Sequence, residues 1–176
     1  EFTTPSFTEC CEWRECPGYV DDYKKYIVDT DNPLIATKVY CDDGCCIVTG
    51  NTPLPQNKVI SWSIKILKSE GNDGNGIFIG VALSDIDQND DFNFTKCGWY
   101  FHCYDLTLWS GPSHTHKKKE YGPRKGKWGG EYVHTGDIVG VAIDTTNGEI
   151  SFALNGVNYG VAFDGIPLDK PLVPCA

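Results

Sequence analysis

The feature that most constrains the fold is a pair of Asn-Gly dipeptides, at residues 147–148 and 155–156, each lying between short apolar runs. Asn and Gly both accept positive φ, which the central residues of tight hairpin turns require. Between the two dipeptides, apolar residues occupy every second position from Ile150 to Leu154, as in a strand with one buried face. Residues 136–175 are therefore predicted to form a β-meander.

Composition extends this prediction to the rest of the chain. The sequence has 176 residues, which is enough for one domain with a sizeable core. It contains 19 glycines, 10 prolines and 12% aromatic residues, and it has no long segment of helical period. This combination is typical of many short strands joined by turns. We therefore predict an all-β fold.

The sequence before the meander predicts an irregular arm and then a hairpin. Residues 1–33 are polar and acidic with scattered aromatics, and we expect an arm with at most one short helix, at residues 20–25. The apolar runs at 34–40 and 45–49 flank an Asp-Asp-Gly turn at 42–44, which is a good hairpin signal.

Further strands follow the predicted hairpin. Apolar residues alternate with polar ones at residues 60–66, which predicts a half-buried strand. The run at 77–83 is apolar on both faces, which predicts a central strand covered on both sides. Two more strands are expected at 98–104 and 106–109.

The charge of the chain argues against nucleic-acid and membrane partners. Its formal net charge is −9 and its pI is about 4.8, so it repels a phosphate backbone. Six basic residues lie within residues 117–127, next to Tyr121 and Trp128, but a solvated loop explains this cluster better than base stacking does. No apolar run is long enough to span a bilayer, and the first residues lack the pattern of a secretory signal.

Cysteines and aspartates are the candidate metal ligands of this sequence. The nine cysteines are an odd number, and we expect reduced thiols that act as small buried hydrophobes in a cytoplasmic protein. Their spacing lacks the C-x-x-C pattern of zinc sites. The aspartates at 85–91 resemble a calcium loop, but Asp90 and Lys96 stand where an EF-hand needs Gly and Glu. No metal or cofactor is predicted.

Several strings in the second half of the chain resemble a known family. The segments CGWYFHCYDLTLWSGP, EYGPRKGKW and HTGDIVGVAIDTTNGEISFALNGVNYGVAF resemble a SPRY domain. The phrasing around CCEWRECPGY and NTPLPQNKVISWSIKI is similar to SPRY modules of protist multidomain proteins. The resemblance implies a bent antiparallel β-sandwich at residues 34–176, preceded by the arm at 1–33. Family members continue beyond the strand LVPC, so it also implies that the last strand or strands are missing.

The resemblance implies a non-catalytic module that recognises a protein or peptide through its inter-strand loops. The residues agree, because no nucleophile, base and orienting group occur in one motif. We expect the turn after Tyr40 and the loops 71–76 and 84–96 to cluster at one rim, whose acidity favours a partner with Lys or Arg. Asn75 matches by position a polar contact of some SPRY members, and Trp109 is the tryptophan expected at an exposed strand end. The candidate contact residues are Asp43, Asn75, Asp87, Asp90, Asp91, Phe92, Phe94 and Trp109.

Two other function classes are an assembly component and an enzyme. The domain could be a structural component of a larger assembly, in which the unfinished C-terminal edge pairs with a strand from elsewhere. The oligomeric state stays open. An enzyme is disfavoured, since no triad, paired-acid or metal motif is present.

Overall fold

The computed structural model of the chain describes residues 12–14, 19–20, 23–24, 26–38, 47–68, 77–86, 97–104, 106–110, 121 and 133–176. Within these residues the chain forms twelve β-strands and no helix. The strands are β1 (Tyr19–Val20), β2 (Tyr23–Lys24), β3 (Tyr26–Val28), β4 (Ala36–Lys38), β5 (Val59–Lys65), β6 (Phe78–Leu83), β7 (Gly98–His102), β8 (Thr107–Ser110), β9 (Ile138–Asp144), β10 (Glu149–Leu154), β11 (Val157–Phe163) and β12 (Leu172–Cys175). The prediction of an all-β fold is confirmed.

Eight of these strands form two four-stranded antiparallel sheets. The first sheet has the order β11-β10-β9-β5, and the second sheet has the order β12-β6-β7-β8. Their inner faces share one hydrophobic core, so the body of the molecule is a β-sandwich. The short N-terminal strands pair as β1-β2 and β3-β4.

The core of the sandwich joins the two sheets through aromatic rings. Phe152 on β10 stacks against Phe101 on β7, with ring centroids 5.6 Å apart. Tyr121 lies edge-on to both of these rings. Burying each side chain of this size contributes about 1.5–3 kcal/mol. The sandwich is therefore held together mainly by alternate inward-facing residues of both sheets.

Three strand predictions are confirmed. On β10 the side chains of Ile150, Phe152 and Leu154 are buried, while their neighbours are more exposed. On β5 the inward-facing positions alternate with exposed ones, as expected for a half-buried strand. β6 lies between two other strands and is buried at its four central residues, because apolar side chains on both faces suit a covered strand.

The two Asn-Gly dipeptides form different turns. Asn155 and Gly156 make a two-residue loop between β10 and β11 with φ of 50° and 82°, as predicted. At the other dipeptide only Gly148 has positive φ, so the expected pair of positive φ values is wrong there. The carboxylate of Asp144 accepts hydrogen bonds from the backbone of Thr146 and Asn147, which builds a four-residue loop instead.

The one short helix that the sequence allowed at residues 20–25 is not found in the described part of that stretch. β1 and β2 occupy its described residues and pair with each other, with Val20 opposite Tyr23. Tyr and Val favour extended backbone, which agrees with strands at these positions. β4 pairs with β3 of the predicted arm, whereas Thr49 pairs with Cys175, so the described parts of the expected 34–49 hairpin have other partners. The turn at 42–44 lies outside the described residues.

The outer edge of β12 is paired within the chain. Val48 and Ala176 exchange two backbone hydrogen bonds, and Gly50 N donates to Pro174 O. Trp13 in turn bridges to Gly50. This argues against the alternative in which the edge pairs with a strand from elsewhere, because residues 48–54 already bond to its backbone groups.

Candidate functional site

Trp109 lies in a group of aromatic side chains on the outer face of the second sheet. Phe78 of β6 stacks on His102 of β7, with ring centroids 4.3 Å apart and an interplanar angle of 11°. Trp109 of β8 meets both rings edge-on, at 5.5 Å from Phe78 and 5.9 Å from His102. Tyr104 follows β7 and lies 6.0 Å from His102. We call these four residues the aromatic cluster.

Strand register brings the aromatic cluster together. Phe78 is directly opposite His102, and Trp109 is opposite Tyr100, one outward position further along β7. The intervening residues, such as Phe101, point to the other face and join the core between the sheets. Aromatic pairs on neighbouring strands contribute about 0.2–1 kcal/mol each, so the cluster stabilises its own arrangement.

A buried layer supports the cluster from the side of β12. Tyr100 is only 1% exposed and packs with Ala82 and Cys175. Its burial raises the pKa of the phenol well above the ordinary value, so the ring is neutral. Glycine makes room for this layer, because a Cβ at Gly98 would lie 2.1 Å from the Tyr100 hydroxyl oxygen. The support is buried and mostly apolar.

The aromatic cluster is partly exposed to solvent. Tyr104 is 37% exposed, and Phe78, His102 and Trp109 are half-buried. The indole Nε1 of Trp109 donates a 2.8 Å hydrogen bond to Thr107 Oγ1, which fixes the orientation of its ring. Partly exposed rings with a fixed orientation suit contact with a cation or an apolar side chain of a partner.

Metal binding has no support in the described part of the chain. There, no group of three or more His, Cys, Asp or Glu side chains is placed to hold an ion. Cys103 and Cys175 are fully buried, and burial raises the pKa of both thiols. Such thiols are poor ligands and nucleophiles.

Of the sequence-predicted contact residues, Trp109 is the one that the structure describes. Asp43, Asn75, Asp87, Asp90, Asp91, Phe92 and Phe94 lie outside the described residues.

The loops 71–76 and 84–96 join β6 at its opposite ends, so their attachment points do not share the one rim that the sequence analysis expected. Ile77 and Ser84 flank opposite ends of β6, which is about 17 Å long at ~3.3 Å per residue. The aromatic cluster lies at the Ile77 end, and Asn75 precedes Ile77 by two residues in the sequence. At the other end Ser84 N donates to Pro171 O, and Asp85 forms a 3.6 Å ion pair with Lys170.

The sequence interpretation missed Phe78, His102 and Tyr104. Phe78 lies in the apolar run at 77–83, which is predicted to be covered on both faces, so nothing marked it as a partly exposed ring. The usable signal was the spacing of His102 and Tyr104 at alternate positions of one predicted strand. Their partner on β6 could be found only from the register between strands.

Comparison with known proteins identifies the family. The family model of the SPRY domain matches residues 59–176, more than half of the chain. The chain belongs to the SPRY domain family. SPRY domains are generally protein–protein interaction modules, so this is the class of function that the family supports.

A solved SPRY structure shares the fold. The SPRY domain of human HERC1 superposes with a TM-score of 0.61 at 21% sequence identity, covering 86% of this chain and 83% of that chain. A crystal structure titled human SPRY domain matches with a TM-score of 0.43 at 16% identity, covering 86% and 87%. No curated protein sequence matches the chain. Among the described residues, no helix is long and apolar enough to cross a membrane.

Proposed function

We propose that this SPRY domain is a non-catalytic module that recognises a protein or peptide. The observation that carries the proposal is the aromatic cluster, in which partly exposed rings are oriented on a buried apolar support. Tryptophan and tyrosine held in this way are typical of residues that dominate binding energy at interfaces. The neighbouring inter-strand loops would complete the contact surface.

The preferred partner carries Lys or Arg beside an apolar residue. A net charge of −9 attracts cationic segments and speeds their encounter. A guanidinium or ammonium group over an aromatic face gains about 0.5–2 kcal/mol, depending on how far it is desolvated. We propose that Asp87, Asp90 and Asp91 steer the partner, and that nucleic acid and membranes are not bound.

The remaining loop candidates are proposed as supporting contacts. Asn75 precedes β6 by a few residues and would add a polar contact beside the cluster. Asp43, Phe92 and Phe94 complete the proposed loop surface. We also propose that the protein works in the cytoplasm, as the cysteine usage indicates.

A displayed library of random linear peptides tests this proposal. We expect enrichment of peptides that contain Lys or Arg, and binding about tenfold or more weaker to Trp109→Ala than to wild type. The Asp90→Lys, Asp91→Lys double variant should lose affinity mainly through slower association. Val161→Ala, at an exposed position on the other sheet, is the control and should bind normally. Equal binding of the wild type and both test variants would refute the assignment.

An assembly role is the second candidate. It is favoured by β11, which is the outer strand of the first sheet and carries Val157 and Val161 at more than half exposure. Light scattering of the purified chain discriminates between the two. A stable oligomer that Val161→Asp dissociates would support assembly, whereas a monomer at high concentration would favour the recognition module.

A further inference from the structure

We infer that Asn155 is a site of spontaneous deamidation, whereas Asn147, which has the same Asn-Gly sequence, is protected by the fold. In this reaction the backbone nitrogen of the following glycine attacks the side-chain Cγ of asparagine. The new N–Cγ bond closes a cyclic imide, the Cγ–Nδ2 bond breaks, and the backbone proton leaves with the amide nitrogen as ammonia. Water then opens the imide to aspartate or isoaspartate, so one water is consumed and one ammonia is released.

The attacking nitrogen is available at Asn155. Asn155 and Gly156 are exposed and form a two-residue loop. The amide nitrogen of Gly156 has no hydrogen-bond partner among the described residues. A Cβ placed on Gly156 would find no atom within 4 Å, so the peptide has room to rotate into the attacking geometry. Glycine also lacks the steric barriers of other residues.

The carbonyl under attack is activated at Asn155. Its Oδ1 accepts a 3.0 Å hydrogen bond from Ile138 N, and its Nδ2 donates a 2.9 Å bond to Asp137 Oδ1. A backbone N–H aimed at Oδ1 stabilises the negative charge that develops on this oxygen as the nitrogen attacks. The same bonds keep the side chain in one position beside the turn.

The corresponding groups at Asn147 are engaged. The attacking nitrogen, Gly148 N, donates a 2.8 Å hydrogen bond to Asp144 O. The Asn147 Nδ2 donates to Asp144 Oδ2 at 2.7 Å, much as Asn155 Nδ2 donates to Asp137, so the two sites differ at the glycine nitrogen rather than at the side-chain amide. Gly148 is buried against Ile166, whose N–H donates to Gly148 O, so this peptide cannot rotate without local opening.

Deamidation at Asn155 would alter the hairpin between β10 and β11. A carboxylate at this position replaces the donor to Asp137 with a like charge. Isoaspartate would also lengthen the backbone of a two-residue loop. The modification is therefore a slow and irreversible step that adds negative charge and loosens this end of the first sheet.

Incubation of the purified 176-residue chain at mildly alkaline pH tests the inference. Cleavage after Glu149 places the two asparagines in separate peptides, and mass spectrometry then measures the amide loss of each over time. In denaturant both should convert at similar rates, which provides the reference. In native buffer we expect Asn155 to convert about tenfold faster than Asn147. Before Gly148 N can attack, local opening must first break its hydrogen bond to Asp144 O.

A variant separates protection by Asp144 from a general effect of folding. Asp144→Ala removes the side-chain bonds to the 146–147 turn and should accelerate conversion of Asn147 while leaving that of Asn155 unchanged. Native Asn155 that resists conversion while the denatured chain converts would overturn the inference. So would conversion of Asn147 at the same rate as Asn155 in native buffer.

Discussion

The hydroxyl of Tyr121 bonds to backbone groups at a register shift in the first sheet. The register between β10 and β11 shifts between Ile150 and Ala153, which leaves Phe152 without a regular partner on β11. The Tyr121 hydroxyl accepts a 3.0 Å hydrogen bond from Phe152 N and donates to Gly160 O. Burial raises the pKa of this phenol, although the bond from Phe152 works in the opposite direction.

Replacing Tyr121 with Phe should therefore destabilise the domain. The variant keeps the buried ring but leaves the Phe152 N–H unsatisfied, at a cost of about 1–3 kcal/mol. Denaturant unfolding measures this cost. Ser63→Ala, which also removes a hydroxyl but at an exposed position of β5, is the control and should change the free energy of unfolding by less than about 0.5 kcal/mol. Equal effects of the two substitutions would contradict this role for the hydroxyl.

Asp137, which directly precedes β9, makes a pH-dependent contribution to the stability of the fold. Partial burial pushes its pKa up, but hydrogen bonds from His134 N and Asn155 Nδ2 outweigh this effect and hold the pKa below the ordinary value. Because the folded-state pKa is lowered, the stabilisation is present above the unfolded-state value of about 3.8 and is lost as pH falls through the folded-state value.

Asp137→Asn should accordingly be less stable than wild type at neutral pH. The difference should shrink as the pH falls below 3.8 toward the lowered pKa and vanish once the wild-type carboxyl is protonated. Denaturant unfolding of both proteins over this pH range provides the measurement. A stability difference that stays constant with pH would show that the charge of Asp137 plays no part.

At the level of strands, Gly80 sets how closely β6 and β7 approach. A Cβ at this position would lie 1.9 Å from the backbone oxygen of Trp99. Backbone atoms cannot move aside as a flexible side chain can. The close approach in turn holds Phe78 and His102 in register, so the aromatic cluster depends on this glycine.

We expect Gly80→Ala to destabilise the domain by more than about 3 kcal/mol, because overpacking against backbone disrupts the pairing. Gly140→Ala is the matched control, since it lies in a strand of the other sheet and its Cβ would meet Ala153 Cβ at 3.3 Å. It should stay within about 1 kcal/mol of wild type. Thermal or denaturant unfolding compares the two. A Gly80→Ala protein as stable as Gly140→Ala would refute the argument.

Local patterns predicted strands better than they predicted partners. The alternation on β10 and the two-sided apolar run of β6 were readable because burial acts on each residue separately. The pairing of β12 with residues 48–54 could not be predicted from local patterns, because it joins segments far apart in sequence and depends on global topology. The four-residue turn at Gly148 depends on the Asp144 carboxylate, which a search for Asn-Gly alone overlooks.

For the whole molecule, the family could be predicted from the sequence, whereas most of the candidate site could not. The SPRY family was readable from motifs along one stretch of chain. The aromatic cluster instead draws residues from three strands, and only Trp109 of its four members was singled out beforehand. A binding surface assembled across strands cannot be read from one segment at a time.

The most direct measurement is the indole N–H signal of Trp109 in an NMR titration with a Lys- or Arg-containing peptide enriched from the displayed library. Trp109→Phe assigns the signal, and the signal of Trp99, which is buried in the core, is the internal control. We predict that the Trp109 signal shifts on binding while that of Trp99 does not. The same peptide with its basic residues replaced by alanine should have little effect. Tight binding that leaves the Trp109 signal unmoved would contradict recognition by the aromatic cluster.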